Sequence, residues 1–303
     1  MVAGACAFAQ RSDISEDREL KEIDPTAWDC LDHPGGSATT PDGVERNTLK
    51  NRSAIDLAGL QIQQLDTRSF LQKFAPFETQ TKGMRRKDLR AALRPRLAPL
   101  EEEIVSFTGY LVLAYAGPPE STNCGSTDFH DWHLELFQKP LDHAPKIGDP
   151  TPIICEITPR TQNAIFRENI RMQALAGFIR APDFTIEATG HAARKVRVTG
   201  YLLWDDEHNG SADVGKTIRS VGANKYHHPW RSTAWEIHPV IEIEAAEKQF
   251  VTLTQPVKIR IASGETVLPR RTKLMVVSHD VTTVTVRYFD GTHTIPIAST
   301  DFR

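Results

Sequence analysis

Apolar and polar residues alternate with a period of two, the period of a β-strand, in five stretches of the chain: Val105–Tyr115, Asp131–Phe137, Pro152–Thr158, Lys195–Trp204 and Thr233–Glu244. In the last of these, Trp235, Ile237, Ile241 and Ile243 share one side. Glu236, His238, Glu242 and Glu244 share the other. In the second stretch Trp132, Leu134 and Leu136 oppose Asp131, His133 and Glu135. In the third, Ile153, Cys155 and Ile157 oppose Glu156. The bulky apolar sets are expected to fill a core, and the acids and imidazoles to look outward together from the sheet. Between the third and fourth stretches Phe166, Ile170, Ala174 and Phe178 recur at helical spacing. Three strands, a helix and two strands is the order of a five-stranded OB-type barrel. Thr-Gly-Tyr-Leu occurs in both the first and fourth strands, and Gly109 is the expected position of a bulge or sharp bend.

The flanks are patterned differently. Residues 1–45 are loop-like, with turn signals at Asp32-His-Pro-Gly-Gly-Ser37 and Thr40-Pro-Asp-Gly43. Residues 46–103 are mixed and mostly helical: Asp66 precedes Phe70, Leu71 and Phe74 as a cap precedes a short helix. Arg85–Arg96 is basic, with Leu89 and Leu93 on one helix face. It reads as a solvated surface interrupted by Pro95 and Pro99. Residues 247–303 hold five short strands, an Asp290-Gly291 hairpin turn, and Pro256 and Pro296 at edge positions. The expected fold is therefore mainly β (α+β). An OB-type barrel at 104–246 is followed at 247–303 by a small Src-homology-3-like barrel.

The length of 303 residues suits two domains at about 150 residues each. The balance of 36 basic against 39 acidic residues argues against a general polyanion binder. No apolar run approaches the ~20 residues of a membrane span. Met1–Gln10, with Ala7-Phe-Ala9, has the look of a truncated export signal, and a short Ala-rich tail is the alternative. Of four cysteines, Cys155 sits in an apolar run as a buried hydrophobe, and Cys6 lies in the N-terminal tail. Cys30 and Cys124 lie in turn-rich loops and could pair in an exported protein, a point the sequence leaves open. Cys30-Leu-Asp-His33 lacks a second ligand pair for zinc.

Several motifs occur together: Asn47 to Arg52 with Leu49-Lys-Asn-Arg52, Glu120-Ser-Thr-Asn-Cys124, Asp131-Trp-His133, Glu156-Ile-Thr-Pro-Arg160, Gly200-Tyr-Leu-Leu203, Asp205 with His208, Val214-Gly-Lys-Thr217, and Arg231 leading to Trp235-Glu-Ile-His-Pro239. As a set, over roughly 47–244, they resemble an uncharacterised bacterial OB-fold-like family. That resemblance implies no reaction. It implies an envelope or secreted setting, so a periplasmic or secreted location is favoured over a cytoplasmic one.

Gly210–Thr217 matches the phosphate-loop pattern, but Ile218–Pro229 has no helical stripe to follow it, and Asp205, Asp206, Glu207 and Asp213 oppose phosphate. It is a chance match. The outward side chains support three readings. The first is a ligand-binding OB module for single-stranded nucleic acid, oligosaccharide or another small polar ligand, with Tyr110, Arg160, Tyr201 and Arg231 as contacts. The second is a metal-dependent hydrolase of the phosphodiesterase or nuclease class. Its catalytic set is His133, Glu156, Glu236 and His238, and its zinc or manganese ligands come from His133, Asp205, His208 and His238. Arg160 or Arg231 would stabilise the developing charge. The third is a non-catalytic envelope interaction protein.

Overall fold

The computed structural model describes residues 19–302 apart from 169, 224, 247–249, 262, 263, 280, 281 and 290. The signal-like start, with Cys6, and Asp290 of the expected hairpin lie outside the described residues. The protein is mainly β, 35% strand and 21% helical. Among the described residues no helix is long and apolar enough to cross a membrane. The chain divides into two compact units between Glu244 and Ala245.

The first unit begins with α1 (Pro41–Lys50). Thr40 and Pro41, expected to make a turn, are instead the N-cap and first residue of this helix. Thr40 Oγ1 accepts the Gly43 N–H, and proline at the first position has no amide to leave unpaired. β1 (Gln63–Asp66) leads into α2 (Thr67–Thr81). Asp66 closes a reciprocal capping box with Ser69, and Phe70, Phe74 and Phe77 form the buried stripe of a helix longer than the short one expected. α3 (Arg94–Glu101) has Pro95 in its first turn, so this proline begins a helix rather than ending one.

The barrel strands are β2 (Ile104–Ala116), β3 (Trp132–Phe137) and β4 (Ile153–Ile157). α4 (Pro159–Arg167), α5 (Met172–Leu175), β5 (Phe178–Arg180) and β6 (Ile186–Ala188) follow. Then come β7 (Lys195–Trp204), the short pair β8 (Ser220–Val221) and β9 (His227–His228), and β10 (Trp235–Ala245). Hydrogen bonding runs β2-β3-β4-β10-β7 and back to β2, closing a five-strand mixed barrel whose one parallel pair is β4 with β10. This architecture is compatible with an OB-like fold.

Two local expectations change. The helical stripe through Phe178 is broken: α4 ends at Arg167, and Phe178 and Ile179 lie in a strand parallel to β2. The irregularity in β2 falls between Leu111 and Leu113 rather than at Gly109. Gly200 answers a close approach. A Cβ there would stand 2.4 Å from the Pro239 carbonyl, so β7 and β10 can pack at this distance only over a glycine.

The core follows the alternation. Trp132, Leu134, Ile153, Cys155, Trp235 and Ile237 are all buried in one cluster, with the α2 phenylalanines against them. Phe74 stacks on Trp235 at 4.4 Å, and Phe77 meets Trp204 and Trp235 edge-on.

In the second unit β11 (Phe250–Thr252), β14 (Lys273–His279), β15 (Thr283–Tyr288) and β16 (Gly291–Pro296) form an antiparallel sheet. β12 (Val257–Ile261) and β13 (Gly264–Leu268) form a hairpin. Val251, Leu253, Ile259, Val284, Val286 and Ile295 are buried in its own core. Pro296 ends β16, an edge strand.

Candidate functional site

The polar side of β3, β4 and β10 is not an open surface. His133 is 8% exposed, Glu156 2%, and Glu236 and His238 0%. Strand parity is as expected, since Glu236 and His238 do lie opposite Trp235 and Ile237. The expectation that they look out to solvent fails because other parts of the chain cover them. Three segments make that cover: α1, the loop carrying Cys30, and the loop between β2 and β3.

The cover is tied down by many bonds. Cys30 and Cys124 form a disulfide with Cα atoms 5.7 Å apart, which also removes Cys30 from any zinc pair with His33. Asn51 Nδ2 donates to the Thr122 carbonyl at 2.8 Å, and Asn47 Nδ2 to Ser121 Oγ at 3.1 Å. Arg52 Nη2 donates to the carbonyls of Leu202 (3.0 Å) and His238 (3.1 Å). Each satisfies a polar group that the cover has desolvated.

Beneath the cover runs a continuous ionic network. Lys50 Nζ lies 3.7 Å from Glu120 Oε2, and Glu120 Oε1 is 3.6 Å from His133 Nε2. His133 Nδ1 is 3.2 Å from Glu156 Oε1. His238 Nδ1 lies 3.0 Å from both Glu156 Oε2 and Glu236 Oε1, and its Nε2 faces Asp131 Oδ2 at 3.6 Å. Asn123 Nδ2 donates to Asp131 Oδ1 at 3.0 Å. At the far end Arg231 donates to Glu236 Oε2 (2.7 Å) and Asp205 Oδ2 (2.9 Å).

Burial and charge act against each other here. Burial alone would depress both imidazoles. The carboxylates overcome it, Glu156 foremost, and hold His133 at about 9 and His238 at about 10. Burial lifts Asp131 to about 6 despite the His238 charge. For Glu156 the two imidazoles and Lys50 outweigh burial and hold the carboxyl well below its usual range.

Stability should vary with pH accordingly. An imidazole whose folded pKa is raised stabilises fully below its unfolded value of 6.5 and loses that contribution as pH rises through its folded value. Each pH step of one between a ring's unfolded and folded pKa corresponds to about 1.4 kcal/mol. Metal-free protein is therefore expected to lose several kcal/mol of unfolding free energy between about pH 7 and pH 10.5. Denaturant titrations across that range check it. A flat profile up to the lysine range would contradict the assignment.

The residues expected from the sequence fare differently. His133, Glu156, Glu236 and His238 come together, joined by Asp205 and Arg231. His208 does not join them: its side chain is 47% exposed, edge-on to Trp230 and 3.9 Å from Asp213. The set His133, Asp205, His208 and His238 is thus not assembled, and Asp205 is held by Arg231. Arg160 is not a free contact either. It donates to the Cys30 and Leu31 carbonyls and to Asn51 Oδ1, and lies over Trp28, so it fastens the cover. Tyr110 and Tyr201 are half-buried, beneath Lys195 and Arg52 respectively. They pair with opposite ends of one stretch of β2 and β7, so about 20 Å of strand separates them. Arg86, expected on a solvated face, is fully buried and paired with Glu101 and Asp206. No helix follows Gly210–Thr217, where the chain passes to β8. Lys50, Glu120 and Asn123 carry no pattern that marks them as site residues, although they stand inside the co-occurring motifs.

A cleft of about 730 Å³ lies beside this network. Its walls come from the segment ahead of α1 (Lys21, Asp24), the β2–β3 loop (Gly117, Phe129) and the β5–β6 hairpin (Arg180, Phe184), with Tyr226 of the β7–β10 loop. Gly117 separates the cleft from the network: a Cβ there would stand 2.8 Å from His133 Nε2. The Arg180 guanidinium lies 5.0 and 4.3 Å from the Tyr115 and Tyr226 ring centroids, and the two rings meet each other edge-on at 5.9 Å. Behind it His227 Nε2 lies 3.3 Å from Glu135.

The fold and site define a closed mixed β-barrel with a covered ionic face and a cleft beside it. Comparison with protein-family models, with curated proteins and with solved structures finds no match. The family resemblance therefore rests on the motifs alone, and most of those motifs are segments that meet in the network or its cover.

Proposed function

We propose that the protein is a ligand-binding module of OB type that takes a small oligosaccharide in the cleft along its β2–β3 loop. One observation carries the reading: the β2–β3 loop, which corresponds to a ligand-binding loop of OB barrels, forms one long wall of the cleft, and Tyr226 of the β7–β10 loop, the other such loop, reaches into it. Its composition favours sugar over nucleic acid. Aromatic side chains line it, Phe129, Phe184 and Tyr226, as pockets for amphipathic ligands require. The acids Glu19, Asp24 and Asp128 outnumber the bases Lys21 and Arg180, whereas a single strand of nucleic acid needs a positive groove. The outer sheet face that would take a polymer is covered. On this reading the C-terminal unit is a Src-homology-3-like accessory barrel. The Cys30–Cys124 disulfide favours an oxidising, extracytoplasmic setting.

Titration calorimetry with a panel of neutral oligosaccharides tests the proposal, with single-stranded DNA as comparator. Saturable sugar binding is expected, weakened about tenfold or more in Tyr226→Ala by the lost ring face, taking stacking at about 1–3 kcal/mol. Absence of binding across the panel, or salt-sensitive binding to DNA instead, would overturn it.

A further inference from the structure

We infer that Asp131, Glu156 and His238 form a binding site for one divalent first-row cation, manganese or zinc, inside the covered face of the barrel. Each of the three offers a donor atom within 4.8 Å of the other two. Ligand atoms around such an ion stand about 3–4 Å apart, given bonds of about 2.0–2.2 Å, so a small contraction closes the set. Two carboxylates and one imidazole suit manganese or zinc by ligand type.

A second observation is independent of that clustering. Asp131 Oδ2 and His238 Nε2 make no hydrogen bond, although both residues are 0% exposed, and Glu156 Oε2 has only the His238 Nδ1 edge, which Glu236 also claims. Buried polar atoms are almost always satisfied, and the facing pair Asp131 Oδ2 and His238 Nε2, with Glu156 close by, calls for a shared partner. Among the described residues Asp131 Oδ2 and His238 Nε2 have only each other, at 3.6 Å, beyond hydrogen-bond distance. The Nδ1 of His238 is 3.0 Å from both Glu236 and Glu156 and has a single N–H to give. Donated to Glu236, that N–H leaves Nε2 with its lone pair toward Asp131. This is the carboxylate–histidine–metal order in which the outer acid fixes the ring and raises its basicity.

Formal charge points the same way. Five buried or half-buried carboxylates (Glu120, Asp131, Glu156, Asp205, Glu236) share two permanent cations, Lys50 and Arg231. Even two charged imidazoles leave one carboxylate uncompensated. A divalent ion on neutral His238, with His133 charged, closes the balance. The ion's way in is the Glu120 end, where that side chain is 25% exposed and Lys50 and His133 are each 10% exposed. Such a site would exist whatever the neighbouring cleft binds.

The test uses the full chain after chelation. Cobalt(II) is titrated by visible absorption and manganese(II) by electron paramagnetic resonance, with far-UV circular dichroism reporting fold. Wild type is expected to take one equivalent and to gain thermal stability with added metal. Glu236→Gln, which keeps a hydrogen-bonding amide beside His238, is expected to bind about 10–100-fold more weakly. Asp131→Asn is expected to lose the site. If Asp131→Asn fails to fold, the wild-type stoichiometry and the Glu236→Gln shift still decide. No saturable binding by wild type, or unchanged affinity in folded Glu236→Gln, overturns the inference.

Discussion

Replacing Arg231 by methionine is expected to cost about 3–5 kcal/mol of stability, enough to unfold the first unit near physiological temperature. Arg231 is fully buried and donates to Asp205 and Glu236, both themselves buried. Both carboxylates lie in low dielectric, and removing the cation between them strands two charges at once. The Glu236 end has a second consequence: its other oxygen is 3.0 Å from His238 Nδ1, so loss of Arg231 is felt along the network. Denaturant unfolding measures it. An Arg231→Met, Asp205→Asn, Glu236→Gln triple variant should recover part of the loss, because neutral amides cost less to bury. A single-variant loss under about 1 kcal/mol would mean that water reaches these groups.

The second large effect belongs to the disulfide. Cys30 and Cys124 are separated by 94 residues, and cross-linking a loop of that length is worth about 4–5 kcal/mol in the chain-entropy picture. A Cys30→Ala, Cys124→Ala double variant is expected to lose about 2–5 kcal/mol, and reduction of wild type should do the same. The change should also be local. Hydrogen exchange should accelerate first in residues 30–52 and in the β2–β3 loop, where Asn51 and Arg160 hold the cover. The C-terminal unit has its own core and should keep its protection. Uniform acceleration across both units would show that the disulfide holds more than the cover.

The fold is most readable in the sequence where structure is local and periodic. All five barrel strands follow from two-residue alternation, and the capping of α2 from Asp66 ahead of its phenylalanines. Punctuating residues are harder to read because they serve two roles. Thr40-Pro41 and Pro95 are as suited to starting a helix as to making or ending a turn. The stripe from Phe166 to Phe178 has helical spacing but is divided between α4, α5 and a strand, since spacing does not record a break.

The candidate site is half legible. Alternation places His133, Glu156, Glu236 and His238 on one side, and the structure brings them together. Alternation tells which side a residue faces, however, not what lies there. The cover comes from segments that read as loops, held by Arg160, Asn51 and the disulfide across more than 70 residues of chain. No local pattern encodes such contacts. The available signal is the set of short motifs: Lys50, Glu120, Asn123 and Asp131 stand inside them.

Whether that covered face is an internal, charge-balanced network or an open polar surface decides everything built on it. Imidazole nitrogen-15 shifts of His133 and His238 in metal-free protein at about pH 7 measure this directly. Both rings should be doubly protonated, with N–H signals slow to exchange with solvent. Neutral rings titrating near the ordinary histidine value of about 6.5, in rapid exchange with water, would contradict it.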